Sequence, residues 1–284
     1  MNFRDTALCK CVLRGHLALA IFTRPRIDCH ASLAEHPAKL PESGISRKSL
    51  MRKPHHLGSC TLKLGLIGRN IHYSGSPELH RGFLKEANLH GTYDLLPCED
   101  LESLQPFWDA GFHGLNVTQP FKEKAADLCV ELKDWGKTGI VNTLKRTESG
   151  YVGINTDALA LLSVLSPTPQ KALILGYGGV GKISHHVLKH LGCPLIHVAV
   201  RHPQESQLPW EEALKCLKEY DCIIQASSCP TWPGTLSFHD EQLVIDWQYQ
   251  NTSFVSKATH AIDGFFLLKK QAELSFEEWK KIVF

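Results

Sequence analysis

A lysine and a carboxylate, far apart in the chain, are the residues best placed to do proton chemistry. Lys122 closes the run Asn116-Val117-Thr118-Gln119-Pro120-Phe121-Lys122. Leu115 and Val117 alternate with polar neighbours, as in a short half-buried strand. Pro120 stops that strand and suits the first turn of a helix, because its φ is already helical and its missing N–H is no loss there. Phe121 can anchor the helix while Lys122 lies at its mouth. An amine held at a strand-to-helix junction, on the floor of a cleft, is part-stripped of water and can give and take a proton. A surface lysine on a first helical turn is the plainer alternative. The catalytic reading gains from Asn155-Thr156-Asp157 further on, and then from a phosphate loop. Thr156 is expected to cap a helix with Asp157 in its first turn, where an aspartate also simply suits the helix dipole.

Two more stretches carry chemistry. In Ser74-Gly75-Ser76-Pro77, Ser76 is expected to be an N-cap with proline at the first helical position. Two hydroxyls at a helix N-terminus can receive a carboxylate or hydroxyl, although capping alone accounts for Ser76. The apolar run 171–175 feeds Gly176-Tyr177-Gly178-Gly179-Val180-Gly181 and then an apolar-faced helix through Leu191. Gly176, Gly178 and Gly181 fit G-x-G-x-x-G in its required strand–turn–helix context, where the backbone approaches a pyrophosphate. After the next strand, at 196–200, an acidic residue would bind the ribose of NAD. Arg201 and His202 stand there instead, which suits the 2′-phosphate of NADP. His186 and His190 have metal-ligand spacing, but the glutamate of H-E-x-x-H is missing and no third ligand suggests itself, so no metal is expected.

The elements that must position these groups alternate in type. Strands are expected at 62–67, 92–96 and 115–118, a hairpin at 140–144 and 151–154, and helices after Ser76, at 101–108, around Lys122 and from Thr156 to Leu165. Strands at 171–175, 196–200, 222–226 and 243–246 complete a βα pattern. From Asp263 an amphipathic helical region runs on through Phe276 and Trp279, broken near Ser275, and can return across the first lobe with Gln271 toward the cleft. At 284 residues the chain suggests two domains. Hydrophobic content of 43%, charged content of 21% and a net charge of +2 fit a globular protein and give no case for nucleic acid. The apolar run at 17–22 is too short to span a bilayer. Ten cysteines without a C-x-x-C read as thiols in a reducing, cytoplasmic compartment. Residues 1–60 carry ten Lys or Arg against four Asp or Glu and show no clear period. They read as a disordered or non-native extension, with an organellar targeting segment as the alternative and Met51 as a candidate start.

Taken together these stretches resemble shikimate dehydrogenase, an NADP-dependent family, over about residues 62–284. The resemblance rests on Ser74-Gly-Ser-Pro77, Asn116 to Lys122, Val141-Asn-Thr143 with Asn155-Thr-Asp157, and the loop from Gly176 to Gly181, in that order. It implies an α/β fold of two lobes: an N-terminal substrate lobe (61–165 plus 264–284) and a Rossmann-type doubly wound lobe (166–263), with the C-terminal helix packing back on the first. It implies Lys122 and Asp157 as the catalytic pair, and Ser74, Ser76, Asn116, Thr118, Asn142, Tyr249 and Gln271 as the substrate site. The cofactor NADP would lie on Gly176, Gly178, Gly179 and Gly181, with Arg201, His202 and Gly264. The implied activity is reversible reduction of 3-dehydroshikimate to shikimate, with quinate as a further candidate substrate and a non-catalytic NADP(H)-binding member as the alternative. The implied partner is a small molecule, on a monomer or homodimer. Three positions depart from the family pattern: Val200 for an asparagine, the turn from Gln225 to Pro230, and Phe266 for a glycine beside the nicotinamide.

Overall fold

Leu62, Leu64, Leu66 and Ile67 are nearly inaccessible to solvent. They form strand β1 (Leu62–Gly68), buried along almost its whole length as parallel strands between helices are. The computed structural model describes residues 61–229, 232, 236–249 and 254–283. The extension at 1–60 and Pro230 therefore lie outside the described residues. From β1 the chain runs through α1 (Ser76–Glu86), β2 (Gly91–Pro97), α2 (Gln105–Asp109), β3 (Gly114–Val117), α3 (Lys122–Asp127), β4 (Glu131–Leu132), β5 (Thr143–Thr147) and β6 (Gly150–Ile154). These strands make one sheet in the order β2-β1-β3-β5-β6-β4. β1 is parallel to β2 and β3, and β5 is antiparallel to β3 and β6. Thr147 pairs with Gly150, so the β5–β6 hairpin turns on Glu148 and Ser149.

The chain then passes through α4 (Thr156–Leu162), β7 (Lys171–Leu175), α5 (Gly179–His190), β8 (Leu195–Val200), β9 (Leu208–Pro209), α6 (Trp210–Lys215), β10 (Cys222–Gln225), β11 (Leu243–Asp246) and β12 (His260–Ile262). All of this second sheet is parallel, in the order β12-β11-β10-β7-β8-β9. Strand order reverses between β7 and β10, and a doubly wound sheet of this kind offers a ligand crevice at the carboxyl ends of those two strands. One face is covered by Ala158, Leu161, Ile183 and Val187, the other by Trp210, Leu217 and Phe254. Helix α7 (Gly264–Lys280) then packs against α4 and α1. Trp279 is fully buried and donates from Nε1 to Leu144 O at 2.9 Å. Its ring fills the space beside Gly114, where a Cβ would lie 2.3 Å from it. The α/β class, the Rossmann-type strand order and the return of the C-terminal helix agree with the expectation.

Several local expectations are corrected. Ser76 and Thr156 are the first residues of their helices, not the caps. Gly75 and Asn155 occupy the cap positions, and the Asn155 side-chain oxygen accepts the Ala158 N–H. Pro120 lies ahead of α3 in a turn closed by Phe121 N–H on Thr118 O, with Gln119–Pro120 cis. The helix expected at 101–108 begins only at Gln105, where the Ser103 hydroxyl accepts the Gln105 N–H. The helix from Thr156 stops at Leu162. Helix α7 runs unbroken through Ser275, whose hydroxyl bonds back to Gln271 O without interrupting it. Among the described residues no helix is long and apolar enough to cross a membrane.

Candidate active site

Lys122 opens α3 at the carboxyl end of β3, and Asp157 sits in the first turn of α4 after β6. Because β3 and β6 flank β5 in the sheet, both helix starts rise from the same edge. Lys122 Nζ lies 2.6 Å from Asp157 Oδ2, with the two side chains 11% and 6% exposed. Such a pair is largely desolvated, so each charge depends on the other. The lysine stem runs beside Gly179, whose absent Cβ would stand 3.2 Å from Lys122 Cδ. The glycine-rich turn is thus brought directly against the amine.

A cavity of about 150 Å³ surrounds this pair. Ser74, Ser76, Asn116, Thr118, Asn142, Tyr249 and Gln271, the whole expected substrate set, line it with Lys122 and Asp157. Gly264, expected beside the cofactor, lines this cavity as well; a Cβ there would meet Gln248 O at 2.5 Å, so glycine allows α7 to start against that backbone. Ser74 Oγ accepts the Ser76 N–H at 3.2 Å, which holds the two hydroxyls together. Burial pushes the Tyr249 phenol up from its ordinary pKa, opposed by the Ser74 hydroxyl and the Gly75 backbone.

Behind the cavity wall the amides are fixed by partners that leave no choice of orientation. The Thr156 N–H donates to Asn142 Oδ1 at 2.7 Å, so Asn142 Nδ2 faces Thr156 Oγ1 and Gln271 Oε1. Gln271 Nε2 donates to Leu268 O at 3.0 Å. Tyr93 donates to Asn116 Oδ1 at 2.9 Å, and Asn116 Nδ2 reaches Asn142 O and Ser275 Oγ. Tyr93, one strand residue among several, carries no sequence signal for this role, and Ser275 stands where a helix break is expected. The available signal for Ser275 was its position one turn after Gln271 on the same face.

The cavity opens into a groove of about 700 Å³, and the two share Tyr73, Thr118, Lys122, Val180, Trp247 and Tyr249. The groove runs past Gly178 and Gly179 at the start of the twelve-residue α5 and past Ala226 and Ser227 after β10. This is the crevice at the strand reversal. Gly176 has φ +102°, and a Cβ on Gly181 would lie 2.1 Å from Gly176 O, so both glycines are required by the turn. A Cβ on Gly178 would meet nothing within 4 Å, because that face is open to the groove. The first-turn N–H groups of α5 have no intrahelical acceptors and face the same space. The chain therefore presents a cradle that fits a dinucleotide pyrophosphate. Arg201 and His202 are exposed beyond the end of β8, with the Arg201 guanidinium 5.0 Å from the centre of the Trp210 ring. They follow β8, next to β7 in the sheet, and do not line the groove. Phe266 is 48% exposed and lines neither cavity nor groove. Gln225 holds the turn that departs from the family pattern, accepting the Ser227 N–H and donating to Ser227 O. Among the described residues no cluster of ligands could hold a metal ion.

A profile of the shikimate dehydrogenase substrate binding domain matches residues 66–144. A shikimate dehydrogenase (NADP(+)) from Oceanobacillus iheyensis is 31% identical over 254 residues, covering 77% of this chain and 92% of that protein. One from Helicobacter pylori is 35% identical over 243 residues, covering 76% and 91%. Among solved structures, a shikimate 5-dehydrogenase from Thermus thermophilus in complex with NADP(H) and shikimate superposes with a TM-score of 0.67 at 26% identity. The match covers 78% of this chain and 94% of that one.

Proposed function

Because the chain belongs to the shikimate dehydrogenase family, we propose that it catalyses the reversible NADPH-dependent reduction of 3-dehydroshikimate to shikimate, with Lys122 and Asp157 as its acid–base pair. The observation that carries this reading is the 2.6 Å contact between the two in a cavity that opens onto the dinucleotide groove. The start of α5 with Gly176, Gly178, Gly179 and Gly181 would hold the pyrophosphate, and Arg201 with His202 the 2′-phosphate. When bound there, NADPH supplies the hydride.

The protein's part is binding, orientation and proton control. Ser74, Ser76 and Tyr249 would receive the substrate carboxylate at the start of α1. Asn116, Asn142 and Gln271 would hold the ring hydroxyls with amides whose orientation is set before substrate arrives, which lowers the entropic cost of a reactive pose. Lys122 Nζ would give its proton to the C3 oxygen as negative charge develops there, and take it back in the oxidative direction. Asp157 Oδ2 would hold the amine toward that oxygen and balance its charge. Gly264 would serve by letting α7 approach Gln248, beside the nicotinamide end of the groove.

The lobe boundaries proposed are 61–165 with 264–284 for substrate and 166–263 for NADP. Cys98, Cys129, Cys193, Cys216 and Cys222 are free thiols, which supports a reducing, cytoplasmic setting. Assembly as a monomer or homodimer is read by light scattering. The functional test is NADP reduction with shikimate, followed by the absorbance of reduced nicotinamide and run beside quinate and NAD. Turnover with shikimate and NADP is expected. Cofactor binding without turnover on either acid would refute the enzyme and leave a non-catalytic NADP(H)-binding protein.

A further inference from the structure

Ser275 is wholly buried in the middle of α7 and lines neither the cavity nor the groove, yet its hydroxyl has four polar neighbours. It donates to Gln271 O at 3.0 Å and accepts from Asn116 Nδ2 at 3.0 Å. Thr143 Oγ1 lies at 2.8 Å and Thr156 Oγ1 at 3.1 Å. A serine hydroxyl has one proton and two lone pairs. With the proton on a carbonyl, which can only accept, both lone pairs are left for Asn116 and one threonine. The four neighbours come from β3, β5, α4 and α7, so one oxygen atom joins four elements, two of which, β3 and α7, supply an amide to the cavity.

We propose that Ser275 is a positioning residue for substrate recognition, fixing the Asn116 amide directly and the Asn142 and Gln271 amides through Thr156 and the α7 backbone. This rests on the reading of the cavity as the shikimate site. Asn116 is gripped from two sides: Tyr93 holds Oδ1 and Ser275 holds Nδ2. Without the Ser275 oxygen, Nδ2 keeps only Asn142 O at 3.2 Å and Thr143 Oγ1 at 3.3 Å, both longer. The amide is then free to turn toward them and away from its substrate-facing pose. Lys122 and Asp157 hydrogen-bond to each other and to no member of this network, so the proton step is untouched.

The test compares Ser275→Ala and Ser275→Thr with the wild-type chain. Alanine deletes the oxygen; threonine keeps it, and a helical threonine can still bond the carbonyl one turn back. Losing one buried hydrogen bond predicts that Ser275→Ala raises the shikimate KM about tenfold (~1.4 kcal/mol). The kcat and the NADP KM should stay within about twofold, and Ser275→Thr should recover much of the loss. Calorimetric titration with shikimate should show the same ratio. Ser275→Ala with an unchanged shikimate KM, whatever its melting temperature, overturns the proposal. So does a parallel loss of kcat and NADP affinity, which marks general loosening. If threonine unfolds the chain, the alanine ratio by kinetics and calorimetry still decides. Wild-type protein that binds shikimate without turnover defeats the functional reading alone, because the calorimetric ratio continues to test Ser275.

Discussion

Replacing Lys122 by alanine separates catalysis from stability, since the amine serves both. Its Nζ is 2.6 Å from Asp157 Oδ2, and both side chains are nearly inaccessible. Removing a general acid costs about 10²–10⁴-fold in kcat, or ~2.7–5.4 kcal/mol at ~1.36 kcal/mol per tenfold. The same deletion strands a buried carboxylate, which costs about 3–5 kcal/mol of folding stability. In a chain of this size ~1 kcal/mol moves Tm by about 2–4 °C, so a fall of roughly 6–20 °C is expected. Adding Asp157→Asn removes the stranded charge, so the double variant should regain much of the Tm and none of the turnover. Rates are measured well below every transition, with coenzyme binding followed by nicotinamide fluorescence to show that the groove is intact. A folded Lys122→Ala chain with kcat within about threefold of wild type would refute the acid–base assignment. A double variant that recovers turnover along with its Tm would do the same.

Two buried groups should tilt the pH dependence of stability in opposite directions. His80, fully buried against Tyr93 at a centroid distance of 4.3 Å, has neither ring nitrogen hydrogen-bonded among the described residues. Burial holds its imidazole at about 3, against 6.5 ordinarily. The unfolded chain therefore binds the proton first, and stability falls by about 2 kcal/mol between pH 6.5 and 5; urea titrations should find that slope missing in His80→Phe. Burial raises the Asp246 carboxyl to about 7, against 3.8 ordinarily, with the Gln248 backbone N–H opposing. Its contribution is full below the ordinary value and lost as pH rises through 7, so Asp246→Asn should gain about 4 kcal/mol at pH 8 relative to pH 4. Arg201→Ala should weaken NADP by about 10–100-fold with little effect on NAD, read from the ratio of the two KM values. Lys182 grips both oxygens of Glu123 at 2.7–2.8 Å across the groove mouth. Both are partly exposed, so Lys182→Ala should cost under about 1 kcal/mol, a loss that vanishes in high salt.

What could be read from the sequence, and what could not, follows from how local each signal is. The glycine-rich turn was legible because β7 before it and α5 after it are strongly periodic, which fixes where each glycine falls. Lys122 and Asp157 were legible as first-turn residues, but their meeting depends on β3 and β6 flanking β5, which no local pattern states. Caps were misjudged by one residue where two good capping types stand side by side, as at Asn155 and Thr156. The strands β9 and β12 went unread because two or three residues carry no usable period. Ser275 was opaque for a different reason. A serine in a helix becomes informative only once its partners are known, and these lie 159, 132 and 119 positions away.

The closure of the first sheet by α7 also sets an order of events during synthesis. Residues 62–154 leave the ribosome well before Trp279 exists, so the hollow beside Gly114 stays open and Leu144 O lacks its donor while the second sheet is still being made. The substrate pocket therefore cannot be finished until α7 has been made. Long-range closure of this kind is slow and exposes apolar surface meanwhile. A chain stalled before residue 264 would hold Lys122 and Asp157 but lack Gln271, Ser275 and the indole that plugs the sheet beneath them.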